Sequence, residues 1–313
     1  MRLSDLIADY VAYRRALGYR FTHEASVLRA LCNTVGHFSP SALTSEHVRG
    51  CLQQGIVCQD TLARRHRTLV RLYRYLEGRR GIRLPALPSA PHAGTSQFIP
   101  YIYSHSELKR LLRATPVACQ RPGAVLDPDT LRTALLLLYG AGLRLGEAIR
   151  LNVGDVDLTQ AVLTVRQTKF FKTRIVPLGR DLSHLLRSYR RRCDRDRQPE
   201  PSCPFFRCRN GKRIHRSTIE RTFRFLCNIA RVARTGGPRH QPRLHDLRHT
   251  AAVHRLIAWY RRGADLQYLL PRLATYLGHR DLSGTQHYLT LTAPLLHEAS
   301  KRFERYAGGR PHG

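Results

Sequence analysis

Residues 131–151 read LRTALLLLYGAGLRLGEAIRL. An apolar helix runs from Leu131 to Tyr139, breaks at Gly140-Ala-Gly142 and resumes over Leu145–Leu151, with Arg144 at the break. The apolar run from Ala134 to Tyr139, flanks included, is far shorter than the roughly 20 residues that span a bilayer, so no membrane role is indicated. Working outward, helical spacing recurs at Ser217–Ala233, Asp246–Tyr260, Leu266–Leu277 and Pro294–Tyr306. A helix start is signalled at Ser104-His-Ser-Glu-Leu, where Ser104 or Ser106 can cap and Glu107 falls in the first turn. Residues 187–197 hold six arginines and two aspartates and end a helix. Only at 161–178 does the period change to two, predicting a β-hairpin that turns at Lys169-Phe-Phe-Lys172. N-terminal to this region, four helices are predicted at Leu3–Leu17, Ala25–Val35, Ser45–Gln54 and Thr61–Leu76. Pro85, Pro88, Pro91, Gly94 and Pro100 then mark a linker. The fold expected is mainly α with a small antiparallel β-sheet, in two domains: 1–83 helical, 84–100 linker, 101–313 a catalytic domain with a C-terminal helix and tail.

The 313 residues carry 53 lysines and arginines against 22 aspartates and glutamates, a formal charge of +31. With 42% hydrophobic residues the chain is globular, so this charge sits on folded surfaces, where it concentrates polyanions, nucleic acid first among them. Only Lys109, Lys169, Lys172, Lys212 and Lys301 are lysines. A GC-rich genome explains the preference for arginine but not the scarcity of acids. Arg64, Arg65, Arg67, Arg71 and Arg74 interleave with Leu69, Val70, Leu72, Tyr73 and Leu76 on one predicted helix, with one face to pack and one to meet DNA phosphates. Eight cysteines form no C-x-x-C pair, and Cys203, Cys208 and His215 fit no common zinc spacing. The start Met-Arg-Leu-Ser-Asp-Leu lacks the apolar core of a signal peptide, giving a cytoplasmic, nucleoid-associated protein as the expectation.

Metal-dependent nucleases and polymerases need clustered carboxylates, and near the Gly-Arg break only Glu147, Asp155 and Asp157 are available. No metal and no cofactor is expected. Charge stabilisation falls to Arg144, to Lys169 on the hairpin, to His245-Asp-Leu-Arg248, to Leu277-Gly-His279, and to a tyrosine at 288 nine residues further on. The order Arg, Lys, His-x-x-Arg, His, Tyr, with the phrase Leu-His-Asp-Leu-Arg-His-Thr-Ala at 244–251, resembles the tyrosine recombinase (phage integrase) family from about Tyr101 to Tyr306. The basic helical N-terminal segment is similar to that family's core-binding domain.

The resemblance implies that Arg144 and Arg248 are the arginine pair, Lys169 the hairpin lysine, His245 and His279 the histidines and Tyr288 the nucleophile. Elementary chemistry agrees. Two guanidiniums can clamp the non-bridging oxygens of a phosphodiester. A phenol, with a reference pKa of about 10, must lose its proton as it attacks, and His245 can take it. His279 would hydrogen-bond the phosphate, and Lys169 would protonate the leaving 5′ oxygen, with Lys172 a rival for that role. Glu147, one turn past Arg144, is a candidate supporting partner or an ordinary surface carboxylate. The implied activity is site-specific DNA recombination through a 3′-phosphotyrosine, without metal or ATP, serving integration, excision or transposition of a mobile element. A topoisomerase-like relaxing enzyme and a catalytically silent DNA-binding relative are the alternatives. The partners implied are double-stranded DNA, gripped by the two domains as a clamp, and further copies (a dimer per site, a tetramer in synapsis) or related recombinases. Leu295, Leu296 and Phe303 would anchor the C-terminal helix, in cis or on a neighbour.

Overall fold

A computed structural model describes residues 2–35, 39–55, 58–90, 99–166, 173–194, 199–237 and 240–278, together with His297, Ser300 and Glu304. Lys169, Lys172, His279, Tyr288 and the anchors Leu295, Leu296 and Phe303 lie outside the described residues. The chain divides into two units, one of helices before residue 97 and one of the elements after residue 98.

The first unit holds α1 (Leu3–Ala16), α2 (Thr22–Val35), α3 (Ser45–Gln53) and α4 (Gln59–Arg80). Each helix buries apolar residues at helical spacing, and Leu3, Leu6, Leu28, Leu31, Leu69, Leu72 and Leu76 meet in one core, whereas Leu17 at the end of α1 is exposed. Thr44 caps α3 by accepting from the His47 N–H. α4 runs past its predicted ends and stops at Gly81, whose left-handed backbone (φ 64°) lets the amides of Gly81 and Ile82 bond back to Glu77 and Leu76. Within residues 84–90, Leu84 and Leu87 pack on this core, and the His66 ring nitrogen lies 2.8 Å from the Pro88 carbonyl.

The second unit comprises α5 (His105–Arg113), α6 (Thr115–Gln120), α7 (Pro128–Gly140), α8 (Leu145–Ala148), β1 (Val156–Asp157), β2 (Val162–Val165), β3 (Arg174–Pro177), α9 (Arg180–Cys193), α10 (Arg216–Ile229), α11 (Asp246–Arg261) and α12 (Leu266–Leu277). α7 is the central helix. It packs against α6, α9 and α11, and Leu131, Ala134, Leu135, Leu137 and Leu138 are all buried. The antiparallel sheet runs β1-β2-β3 with Leu163 opposite Val176, and both are buried. This is a mostly helical fold with a small three-stranded antiparallel sheet, one strand more than the hairpin alone. α8 is a single turn that ends at Ala148, not at Leu151, and α10 stops at Ile229 before Arg231 takes a positive φ of 50°. Val253, Leu256, Leu273 and Leu277 join α11 to α12. Among the described residues no helix is long and apolar enough to cross a membrane.

Candidate active site

The break after α7 is built by glycine. Gly142 has φ 60°, and a Cβ there would stand 2.6 Å from Leu277 Cδ2, so the turn both needs a left-handed backbone and admits the end of α12. Gly142→Ala is expected to cost about 1–2 kcal/mol in backbone strain and about 1–3 kcal/mol in overpacking against Leu277. A thermal melt unchanged within a degree or so would refute this account of the turn.

Beyond the turn, Arg144 is the N-cap of α8, and the Glu147 carboxylate bonds back to the Arg144 amide at 2.9 Å. The Arg144 guanidinium donates to Glu147 Oε1 at 2.9 Å and to the Gly278 carbonyl at 2.8 Å. Arg248, on α11 and 2% exposed, reaches the same place from the other side. It donates to the Gly142 carbonyl at 2.7 Å and to the Leu277 carbonyl at 2.6 Å. Two arginines 104 positions apart are therefore anchored to successive carbonyls at the C-terminal end of α12, where the helix dipole favours cations.

Glu147 is buried, so it is not a surface carboxylate. Burial alone would raise its pKa, but the bonds and charge of Arg174, with the amide and guanidinium of Arg144, overcome that and hold it at about 2. A depressed carboxyl pKa makes this link complete above the ordinary glutamate value and lost only as pH falls towards 2. His245 precedes α11 and opens to solvent. Desolvation by the chain around it, followed by the charges of Arg248, Arg243, Arg144 and Arg216, lowers its pKa to about 4. A cleft of about 690 Å³ opens beside these groups, lined by Arg144, Arg216, Arg224, Arg243 and His245.

The structure thus brings Arg144, Glu147, Arg248 and His245 into one region. Residues 167–172 and 279–296, which carry the lysines, His279 and Tyr288, are outside the described residues. In the first unit Arg64, Arg67, Arg71 and Arg74 are exposed and follow one another at steps of three and four along α4. Arg65 stands about 100° around the helix from Arg64 and donates to the carbonyls of Cys51, Leu52 and Gln54, closing the C-terminal end of α3. Arg174 takes part in the site although the sequence reading does not single it out. The available signal was an inverted strand pattern, with Arg174 and buried Val176 on one face and Ile175, 68% exposed, on the other.

The phage integrase family model matches residues 103–293, more than half of the chain. A Sinorhizobium fredii (strain NGR234) protein bearing the name integrase/recombinase y4rE is 35% identical over 313 residues, covering 96% of this chain and 95% of that protein. A second protein of that strain, y4rB, with the same family name, is 40% identical over 208 residues, 66% of each. The Tn1549 transposon integrase, solved in complex with transposon right end DNA, shares the fold with a TM-score of 0.64 at 15% identity, over 98% of this chain and 100% of that one. With a family match over most of the second unit and a full-length relative, the chain belongs to the phage integrase family.

Proposed function

We propose that this protein is a site-specific DNA recombinase that cuts and rejoins strands through Tyr288. The observation that carries the reading is the pairing of Arg144 and Arg248 on adjacent carbonyls beside His245, in a member of the phage integrase family. Together the two guanidiniums meet the non-bridging oxygens of a scissile phosphate and stabilise the charge that grows there. The Tyr288 oxygen attacks phosphorus, and the new P–O bond forms as the bond to the 5′ oxygen breaks. The phenol proton passes to His245, and Lys169 or Lys172 protonates the 5′ oxygen. The products are a 3′-phosphotyrosine and a 5′ hydroxyl. A hydroxyl from another duplex reverses the step without ATP, which makes strand exchange possible, with His279 as a phosphate ligand.

The first unit acts as the core-binding domain, with Arg64, Arg67, Arg71 and Arg74 on phosphates, and the two units close on DNA as a clamp. Several copies assemble on the DNA, a dimer at each site and a tetramer when sites pair, or with related recombinases in place of identical copies. Integration, excision or transposition of a mobile element is the reaction this chemistry serves.

Nicked suicide duplexes tiled across the DNA flanking the gene test the proposal. The expected result is a covalent adduct on one of them, with the DNA mapped by mass spectrometry to Tyr288. Tight binding with no adduct on any duplex would instead indicate a silent DNA-binding relative. Relaxation of any supercoiled plasmid would indicate a topoisomerase-like enzyme.

A further inference from the structure

Arg174 opens β3 and points to the buried face of the sheet. Its two terminal nitrogens donate to Glu147, Nη1 to Oε1 at 3.0 Å and Nη2 to Oε2 at 2.9 Å, a fork-to-fork pair in which the carboxylate side chain is 3% exposed and the guanidinium 15%. Glu147 is at the same time the partner of the Arg144 guanidinium. Arg174 also lies under Gly278, where a Cβ would stand 2.8 Å from its Cζ, and the carbonyl of Gly278 is the other anchor of Arg144. Arg174 therefore bonds to one of the groups that hold Arg144 and lies against the residue that bears the other.

The charges decide what this contact does. Arg144 and Glu147 alone form a neutral pair. A neutral pair at that position would offer a phosphate little attraction, because the carboxylate in contact with the guanidinium cancels most of its field. With Arg174 added, the three groups carry a net +1 (two guanidiniums less one carboxylate), and the added charge is buried, where solvent screens it least. We propose that Arg174 is a positioning residue for strand cleavage: by neutralising Glu147 it leaves that carboxylate free to orient Arg144 while Arg144 keeps its charge for the scissile phosphate. The inference rests on the recombinase reading of the site and adds a residue to it.

The test compares single-turnover adduct formation on the nicked duplex that the wild type cleaves, with gel shift on the same duplex and thermal melting as controls. Arg174→Gln is expected to form adduct about 10- to 100-fold more slowly while its affinity for the duplex changes by less than about threefold, since Arg174 is buried beneath the site. Arg174→Lys, which keeps the charge but not the fork, is expected to recover most of the rate. The double variant Arg174→Gln/Glu147→Gln restores the +1 of Arg144 and is expected to cleave faster than Arg174→Gln alone. Thermal melting separates this from a merely structural role, for which the rates of the variants would follow their melting temperatures, since Glu147→Gln also relieves a buried carboxylate that has lost a partner. A wild-type rate in Arg174→Gln, or a double variant no faster than the single, overturns the proposal; should Arg174→Gln not fold, the rate of Arg174→Lys decides it, a full 10-fold loss at unchanged affinity counting against a charge role. If the wild type itself forms no adduct on any duplex, the recombinase reading fails, and that outcome is distinct from a wild type that cleaves and a variant that matches it.

Discussion

Tyr288→Phe is expected to bind the target duplex with wild-type affinity and to form no covalent adduct at all, a loss limited only by detection. Phenylalanine keeps the ring and removes the oxygen proposed to bond to phosphorus. Losing a nucleophile abolishes the step where losing a charge-stabilising group only slows it, so this is the larger expected effect. Denaturing gels of the variant and wild type on the same nicked duplex measure it. Persistence of the adduct would move the nucleophile to another tyrosine, with Tyr276 and Tyr306 the rivals in the same region. Tyr276 is a poor one: burial raises its pKa above the ordinary tyrosine value, and its hydroxyl faces the Pro177 carbonyl at 3.4 Å.

The second large effect is expected from Arg248→Lys, a substitution that conserves charge. One ammonium cannot span the Gly142 and Leu277 carbonyls, which lie 2.7 and 2.6 Å from two different nitrogens of Arg248, and also face a phosphate. Cleavage is expected to fall by about 10²–10³-fold, the size of effect seen when one donor to a developing oxyanion is removed. Stability is expected to fall by about 1–3 kcal/mol for a buried carbonyl left without a partner. Single-turnover rates and thermal melts on the same preparation separate the two. A lysine variant that cleaves within a factor of about two of wild type would mean that Arg248 serves the fold and not the phosphate.

Much of this arrangement is legible in the chain. Residues 131–139 announce a buried helix, Gly140-Ala-Gly142 its break, and the ordered set of arginines, histidines and tyrosine the family. What escapes has physical causes. β1 is two residues long, too short for any alternation to show. α6 follows α5 after a single residue, Ala114, because Pro116 is tolerated in the first turn of a helix and so gives no sign of a break. The C-terminal extension of α4 is set by the left-handed Gly81 rather than by the last apolar residue. Arg65 is separable from its neighbours by geometry, since 64, 67, 71 and 74 share a stripe and 65 does not. Charge counting alone treats all five alike. Glu147 and Arg174 are the hardest case: their meaning lies in a contact between a helix turn and a strand 27 positions away, which no local pattern reports.

The anchoring of Arg144 and Arg248 to the carbonyls of Gly278 and Leu277 makes these contacts blind to the exposed side chains of α12. A carbonyl is the same whatever residue bears it, so these two contacts impose no demand on the identity of the exposed positions of that helix. Tyr268, 58% exposed, and Arg272 stacked on its ring are thus at liberty to drift as a lineage diversifies, while the left-handed glycine that closes the helix is not. Within a family whose members must act on different DNA and in different company, such an arrangement separates the part of the chain that can vary from the part that carries out the reaction.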